Sequence, residues 1–562
     1  MKQHTSIAAK AIAAGLSFAL TMGSVAAPVT IALADDTGTS ASGTTTTTDS
    51  QTDSVTIEKN ANNTSDATTT VGYQIFKADV VDNGSSKTAS NIAWASDEVA
   101  TVVNAQIKAL DSSYTGTTAQ EAADYLATHL PAEGSSGTDT IIESGKLYSN
   151  IANALRADTS LTPTTLTIGE AKVLSPGYWL FLTNSDSTNN GTNQVGTAPI
   201  YAVVGGSALT ISPKSDLPKV TKEVKNDAAG AGWSNVADSQ VGQNLQYRLS
   251  GTVADALPSY RTYYYKFTDT LSAGLTADSS TVKVTVNTNG TDYTVASTSY
   301  TTSLDSNDNG TSTLGVEFAN LKSLTDTSGA TIPVNAGTHV YVTYNAKLDT
   351  AKAYKVASEY NDNSVKLTYS NNPGTDSRGD STPASVRDYT YKLNLVKVDS
   401  SQQSTKLSGA KFTIQATKPD EGTGTQYVQS DGTLGDDPYV FTTGDDGSIS
   451  VSGLDVGTYT VVETQAPDGY NTVPSFDFSI TATYENGALT KVGASTTNAT
   501  AADASVGSDN AVTVTVKDKA GMSLPLTGQA GVTLTWVAGG VVLAFGITHL
   551  VRSRKRDENS AE

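Results

Sequence analysis

Cysteine is missing from all 562 residues. That rules out disulfides, thiol nucleophiles and zinc sites built on thiolates. Histidine is nearly missing as well. Of the four present, His4 and His549 lie in the terminal segments treated below, which leaves only His129 and His339. Two isolated imidazoles make neither a His-rich metal site nor a Cys-His pair, and no serine near them has the GxSxG setting of a hydrolase nucleophile. Basic residues are in short supply: 36 Lys and Arg face 56 Asp and Glu, for a formal net charge of −20. Such a surface repels nucleic acid and anionic lipid, so no nucleic-acid partner is expected. No metal and no cofactor are expected either. Carboxylates are so abundant that no single pair argues for glycosidase chemistry, and no enzymatic turnover is anticipated.

Long apolar runs occur only at the two ends. Lys2 and Lys10 precede the run Ala11 to Ala27, and Ala32-Leu33-Ala34 offers the small-x-small site that signal peptidase accepts. Residues 1–34 therefore read as a cleaved signal peptide, with Ala32 and Ala34 at the cut. At the other end an apolar stretch from about Gly531 to Val551 is followed by Arg552, Arg554, Lys555 and Arg556. About 20 apolar residues suffice to cross a bilayer as a helix, and trailing cations hold that end in the cytoplasm. Just ahead stands Leu524-Pro525-Leu526-Thr527-Gly528. Pentapeptide, span and basic tail in this order resemble the sorting signal of Gram-positive surface proteins. The resemblance implies that sortase cleaves between Thr527 and Gly528 and passes the Thr527 carbonyl to an amine.

After the signal peptide the chain reads as five segments. Residues 35–54 are Thr, Ser, Gly and Asp with little to bury, a disordered linker. Residues 55–214 mix strand patterns, at Tyr73 to Phe76 and Gly177 to Leu182, with a helix predicted from Thr118 to Leu130. Thr118-Ala119-Gln120-Glu121 is a capping box, and Ala122, Leu126 and Leu130 recur at helical spacing. Residues 215–388 alternate with period two at Val220/Lys222/Val224, Leu245/Tyr247/Leu249 and Val340 to Tyr344, with Asp, Asn and Gly between. Residues 389–520 repeat the habit at Tyr391 to Val398, Lys411 to Ile414, Gly457 to Glu463 and Val512 to Val516. Residues 521–562 carry the sorting signal. The fold class expected is mainly β: tandem immunoglobulin-like β-sandwiches after an α+β N-terminal domain.

Leu395-Val396-Lys397-Val398-Asp399, Leu407 to Phe412 and Glu463-Thr464-Gln465-Ala466-Pro467-Asp468-Gly469-Tyr470 resemble a collagen-adhesin B-type domain. In that family a first-strand Lys joins a last-strand Asn or Asp through an isopeptide bond, with the Glu of the box as catalyst. The resemblance implies Lys397, Asp518 and Glu463 in these roles. Asp518 departs from the more usual Asn, and its reaction eliminates water rather than ammonia. The middle segment resembles the isopeptide-bearing middle domain of Gram-positive backbone pilins. There Lys222 is implied as the amine, Asn363 as its partner with Asn361 as the alternative, and Asp269 as the acid. The 55–214 segment has Leu182 where the third has Glu463, so no such bond is expected in it.

The chemistry follows from burial. A lysine in water is an ammonium with no lone pair. Between apolar sheets desolvation lowers the amine and raises the acid, so a neutral amine faces a protonated carboxyl that polarises the carbonyl and shuttles protons.

Backbone pilins also carry a nucleophilic lysine at the end of the first domain. Leu209-Thr210-Ile211-Ser212-Pro213-Lys214 sits at that junction, with Ser212 where the family has Tyr. Lys214 is the implied polymerising residue and Lys219 the fallback. Together these resemblances imply a shaft-forming subunit of a Gram-positive fimbria. Its expected partners are a pilin-type sortase, a housekeeping sortase, identical subunits, minor tip and basal pilins, and a peptidoglycan precursor. A host glycan or matrix protein is a candidate ligand. The expected location is the cell surface, as a fimbria covalently attached to the wall, with the precursor held transiently in the plasma membrane by its C-terminal helix. The rival reading is a monomeric wall-anchored adhesin on an isopeptide-stabilised stalk.

Overall fold

A computed structural model describes residues 53–59, 63, 66–84, 87–129, 141–188, 191–213, 217–226, 231–416 and 425–521, together with two short strands, Leu16–Phe18 and Val29–Ile31. Ala32, Ala34, Lys214, Leu524, Pro525, Leu526, Thr527 and Gly528 lie outside the described residues, as does the apolar segment after them. No described helix is long and apolar enough to cross a membrane.

The first packed region surrounds the long strand Thr69–Asp82, which is flanked by Lys87–Trp94 and Gly177–Thr183, with Ile200–Val204 beyond and Thr164–Thr167 also paired to it. Gly177–Thr183 is buried at every position because both faces of the sheet are covered. On one side lie the helices Asp97–Leu110, Ala119–His129 and Leu147–Ala157. On the other is a small sheet of Leu209–Ile211, Ser54–Ile57 and Ala171–Val173. The capping box is formed: Thr118 Oγ1 receives Glu121 N at 3.2 Å, and Glu121 Oε2 receives Thr118 N at 2.9 Å. Ala122 and Leu126 point into the core. The helix Asp97–Leu110 was not read from the sequence, although Ser96 caps it by accepting from Val99 N, and Val99, Val103 and Ile107 form its buried stripe.

The middle region is a sandwich. One sheet runs in the order Trp233–Ser234, Val220–Lys225, Asn244–Thr252, His339–Leu348, Leu275–Thr288, Thr291–Thr294. The facing sheet runs Val236–Asp238, Ala384–Tyr389, Asn361–Ser370, Tyr265–Leu271, Ser312–Phe318, Thr301–Ser306, with Arg378–Asp380 paired to Asn361–Ser370. Alternate residues of both inner faces close one apolar core that includes Tyr247, Tyr265, Phe267, Val342 and Leu367.

The third region is a second sandwich. Ser448–Leu454, Tyr391–Asp399, Val512–Asp518 and Ala502–Val506 make one sheet, in that order. The first and last long strands of this region are parallel neighbours, with Lys397 opposite Val516 and Asp399 opposite Asp518. The other sheet is centred on Lys411–Ala416, Gly457–Gln465, Phe476–Glu485 and Ala488–Thr496. Phe412, Ile414, Val461, Phe478 and Val514 fill the space between.

Candidate cross-linking sites

Period-two alternation sends every second side chain of a strand into the core, and seven polar residues stand on that inward phase. In Val220–Lys225 the buried positions are Val220, Lys222 and Val224. In Tyr265–Leu271 they are Tyr265, Phe267, Asp269 and Leu271, and in Asn361–Ser370 they include Asn361, Asn363, Val365 and Leu367. The third region does the same with Lys397 after Tyr391, Leu393 and Leu395, with Glu463 after Tyr459 and Val461, and with Asp518 after Val512, Val514 and Val516. The strand geometry that makes a core thereby carries these charges into it.

In the middle site the Lys222 and Asp269 side chains are wholly inaccessible to solvent, and Lys222 Nζ lies 2.5 Å from both carboxylate oxygens. The amine lies over the rings of both Tyr247 and Tyr344, 5.4 Å and 5.6 Å from their centroids. Tyr344 Oη donates to Asp269 Oδ2 at 2.6 Å and accepts from Asn363 Nδ2 at 2.7 Å. Asn363 Oδ1 is buried with no hydrogen-bond partner among the described residues. Burial pushes the Lys222 amine down to about 8, against the opposing pull of Asp269. Asn361 behaves differently. Its Nδ2 donates to Lys355 O at 3.0 Å and its Oδ1 accepts from Lys355 N at 2.9 Å, so both ends of its amide are spent on the backbone.

In the third site Lys397 Nζ lies 2.5 Å from Asp518 Oδ1 and 2.9 Å from Glu463 Oε1, with all three side chains fully enclosed. Glu463 is held by Val473 N, which donates to its Oε2 at 2.8 Å. Asp518 Oδ2 has no hydrogen-bond partner among the described residues. Burial raises both the Glu463 and Asp518 carboxyls above their ordinary range, and the neighbouring lysine only partly offsets it. Each site thus sets an amine against a carboxylate that can exchange protons with it and holds a further carboxamide or carboxyl, of Asn363 or Asp518, in the same cluster.

Other sequence-predicted residues fall elsewhere. Lys219 is exposed, with its backbone paired to Thr252. Leu182 is buried in the first region where the third has Glu463. Lys87, a buried lysine of that first region, donates to Ser207 O at 3.1 Å. The residue that sequence reading missed is Tyr344; its signal was the inward phase of Val340, Val342 and Tyr344, but an aromatic on that phase reads as packing.

The architecture is that of a β-sandwich protein whose sandwiches each bury a lysine against acids. Comparison with known proteins is consistent with it in one segment: residues 391–498 match the family model of the SpaA prealbumin-like fold domain. A search of curated proteins returns no match. Among solved structures, the T6 backbone pilin of serotype M6 Streptococcus pyogenes is 17% identical, with a TM-score of 0.48 over 84% of this chain and 99% of that one. The full-length major pilin SpaD from Corynebacterium diphtheriae is 17% identical, with a TM-score of 0.43 over 83% and 97%. The major pilin SpaA from the same organism is 13% identical, with a TM-score of 0.40 over 83% and 99%.

Proposed function

We propose that the chain is a shaft-forming subunit of a Gram-positive fimbria, supporting adhesion, in which Lys222 is linked to Asn363 and Lys397 to Asp518 by amide bonds. In this reading sortase polymerises the subunits through Lys214 and Thr527 and the finished fimbria is attached to peptidoglycan. The observation that carries it is the pair of enclosed lysines, one in each sandwich, each touching a carboxylate with a second carboxyl or carboxamide in the same cluster. Two unlinked buried charge clusters would be a poor investment, because desolvation costs several kcal/mol per ion. As amides they lose that charge and tie the first strand to a late one. A covalent tie of this kind holds under pulling force without cysteine. The SpaA-type match over residues 391–498 supports the pilin reading of the third region, and the LPLTG pentapeptide with its apolar segment and basic tail supports export and sortase handling.

Two measurements test the reading. Mass spectrometry of the protein should find it about 17 Da light for the Lys222–Asn363 bond and about 18 Da light for Lys397–Asp518, the ammonia and water that these acyl transfers release. A chain at its full uncrosslinked mass refutes both linkages. Replacing Lys214 by Ala should abolish the high-molecular-weight ladder in boiled cell-wall extracts. An unchanged ladder moves the polymerising role to another lysine, Lys219 first, and the absence of any ladder from the wild type favours the lone adhesin.

A further inference from the structure

Asp269 and Asn363 have no direct hydrogen bond to each other among those described; what joins them is the phenol of Tyr344, 2.6 Å from the acid and 2.7 Å from the amide nitrogen. We propose that Tyr344 is a catalytic residue of the middle cross-link, relaying the proton that turns the amide nitrogen of Asn363 into ammonia. The inference rests on the reading that Lys222 and Asn363 become linked.

The chemistry demands such a group at this site. An amide anion is a far poorer leaving group than water, so the nitrogen must be protonated before the C–N bond breaks. The Lys222 ammonium first passes a proton to Asp269, which leaves a neutral amine and a neutral acid. The amine lone pair attacks Cγ of Asn363, and the carbonyl electrons move onto Oδ1. Asp269 then gives its proton to the Tyr344 oxygen while the Tyr344 hydroxyl proton goes to Nδ2. The carboxylate so formed removes a proton from the attacking nitrogen, Oδ1 regains its double bond, and ammonia departs. Asp269 ends protonated and charge balances at every step.

Position and surroundings suit the role. Tyr344 is on the inward phase of His339–Leu348, enclosed, with its ring stacked on Tyr247 at 5.4 Å between centroids. Lys222 Nζ also lies 3.3 Å from the same phenol oxygen, so attacking and leaving nitrogens share one bridging hydroxyl. The third site supplies a contrast: there the lysine meets Asp518 directly at 2.5 Å, no tyrosine hydroxyl contacts its three side chains among the described residues, and the group expelled is water.

The test is a time course of newly synthesised full-length chain, with the two linkages counted separately by peptide mass spectrometry. Tyr344→Phe should slow the 17 Da loss by about 100-fold, the scale of one proton-transfer group, while the 18 Da loss in the same molecules keeps its wild-type rate. Tyr369→Phe, which removes a buried hydroxyl of the same core that has no hydrogen-bond partner among the described residues, should link at the wild-type rate. Equal rates for Tyr344→Phe and wild type would overturn the relay and leave the linkage standing. A wild-type chain that never loses 17 Da overturns the linkage itself and the relay with it. Should Tyr344→Phe fail to fold, as its circular dichroism would reveal, the wild-type rate in mixtures of light and heavy water decides. Two protons in flight give a curved dependence on deuterium fraction, and a straight line counts against the relay.

Discussion

Lys397 and Asp518 are 121 positions apart in the chain and meet at 2.5 Å with neither side chain exposed. Their strands are parallel neighbours in register. The contact therefore closes nearly the whole third region into one loop, and an amide there constrains the unfolded chain more than any local contact does.

Replacing Glu463 by Gln keeps the shape of the site and removes the group that exchanges protons with Lys397. The expected outcome is a third region that folds yet retains the 18 Da, visible in intact mass. By the loop-closure arithmetic used for disulfides, the missing tie should cost about 5 kcal/mol of stability. Denaturant unfolding of wild type and variant, followed by a probe in this region, measures that difference directly.

The two asparagines of the strand Asn361–Ser370 should separate cleanly. Asn363→Ala removes the carbonyl that Lys222 would attack, so the 17 Da loss should vanish. Asn361→Ala strips hydrogen bonds from Lys355 and from Asp388 O and should cost about 1–3 kcal/mol, the usual penalty for leaving buried backbone groups unpaired. Its cross-link should nevertheless form. Peptide mapping of both variants distinguishes the outcomes.

The residues of these sites were legible through resemblance to known families. Strand alternation puts Lys222 in phase with Val220 and Val224, and Lys397 in phase with Leu393 and Leu395, but taken alone it leaves a lone lysine readable as a solvated strand residue. Which partner is a three-dimensional fact. Asn361 and Asn363 share the same phase, and only the fold reveals that one is spent on Lys355 while the other faces Tyr344. The helix Leu147–Ala157 went unread because Lys146, at its N-cap position, makes no capping hydrogen bond, although its stripe of Leu147, Ile151 and Leu155 is regular. Contacts between regions left no trace in the sequence pattern, since their polar residues look like ordinary turns.

One such contact gives a further prediction. Asn371 and Asn372 belong to the middle region's chain yet are fully enclosed against the first. Asn371 Nδ2 donates to Thr188 O at 2.6 Å, and Asn372 Nδ2 donates to Thr183 O at 3.2 Å. Arg156 Nη1 adds a bond of 2.6 Å to Pro373 O. Asn372→Ala should weaken this joint by about 1–3 kcal/mol and lower the melting transition of the first region while the two linkages form normally. Calorimetry with limited proteolysis checks it; an unaltered first transition would mean the joint adds nothing to stability.

The linking reactions should also depend on pH with a definite sign. Burial holds the Lys222 amine at about 8, below its ordinary range, so the folded precursor binds fewer protons than the unfolded chain between about 8 and the ordinary lysine value near 10.4. The precursor's middle region should accordingly gain stability as pH rises across that window, and the penalty of the buried charge is fully present below it. The proton that leaves Lys222 is the one that Asp269 then uses, so the reactive pair carries as many protons as the ammonium–carboxylate pair, and the rate of the 17 Da loss should hold level up to about 8 and fall above it as the pair loses that proton. The third site has the opposite linkage. Glu463 and Asp518 are raised by burial, so the folded precursor holds protons that the unfolded chain has released, and stability should fall as pH rises from the ordinary carboxylate range toward those raised values. Once Asp518 is an amide its share of that slope disappears and only that of Glu463 remains. Unfolding of a Lys397→Met variant, which cannot link, against linked wild type from pH 3 to 7 would expose the difference; parallel profiles would contradict the assignment of Asp518 as the acylated residue.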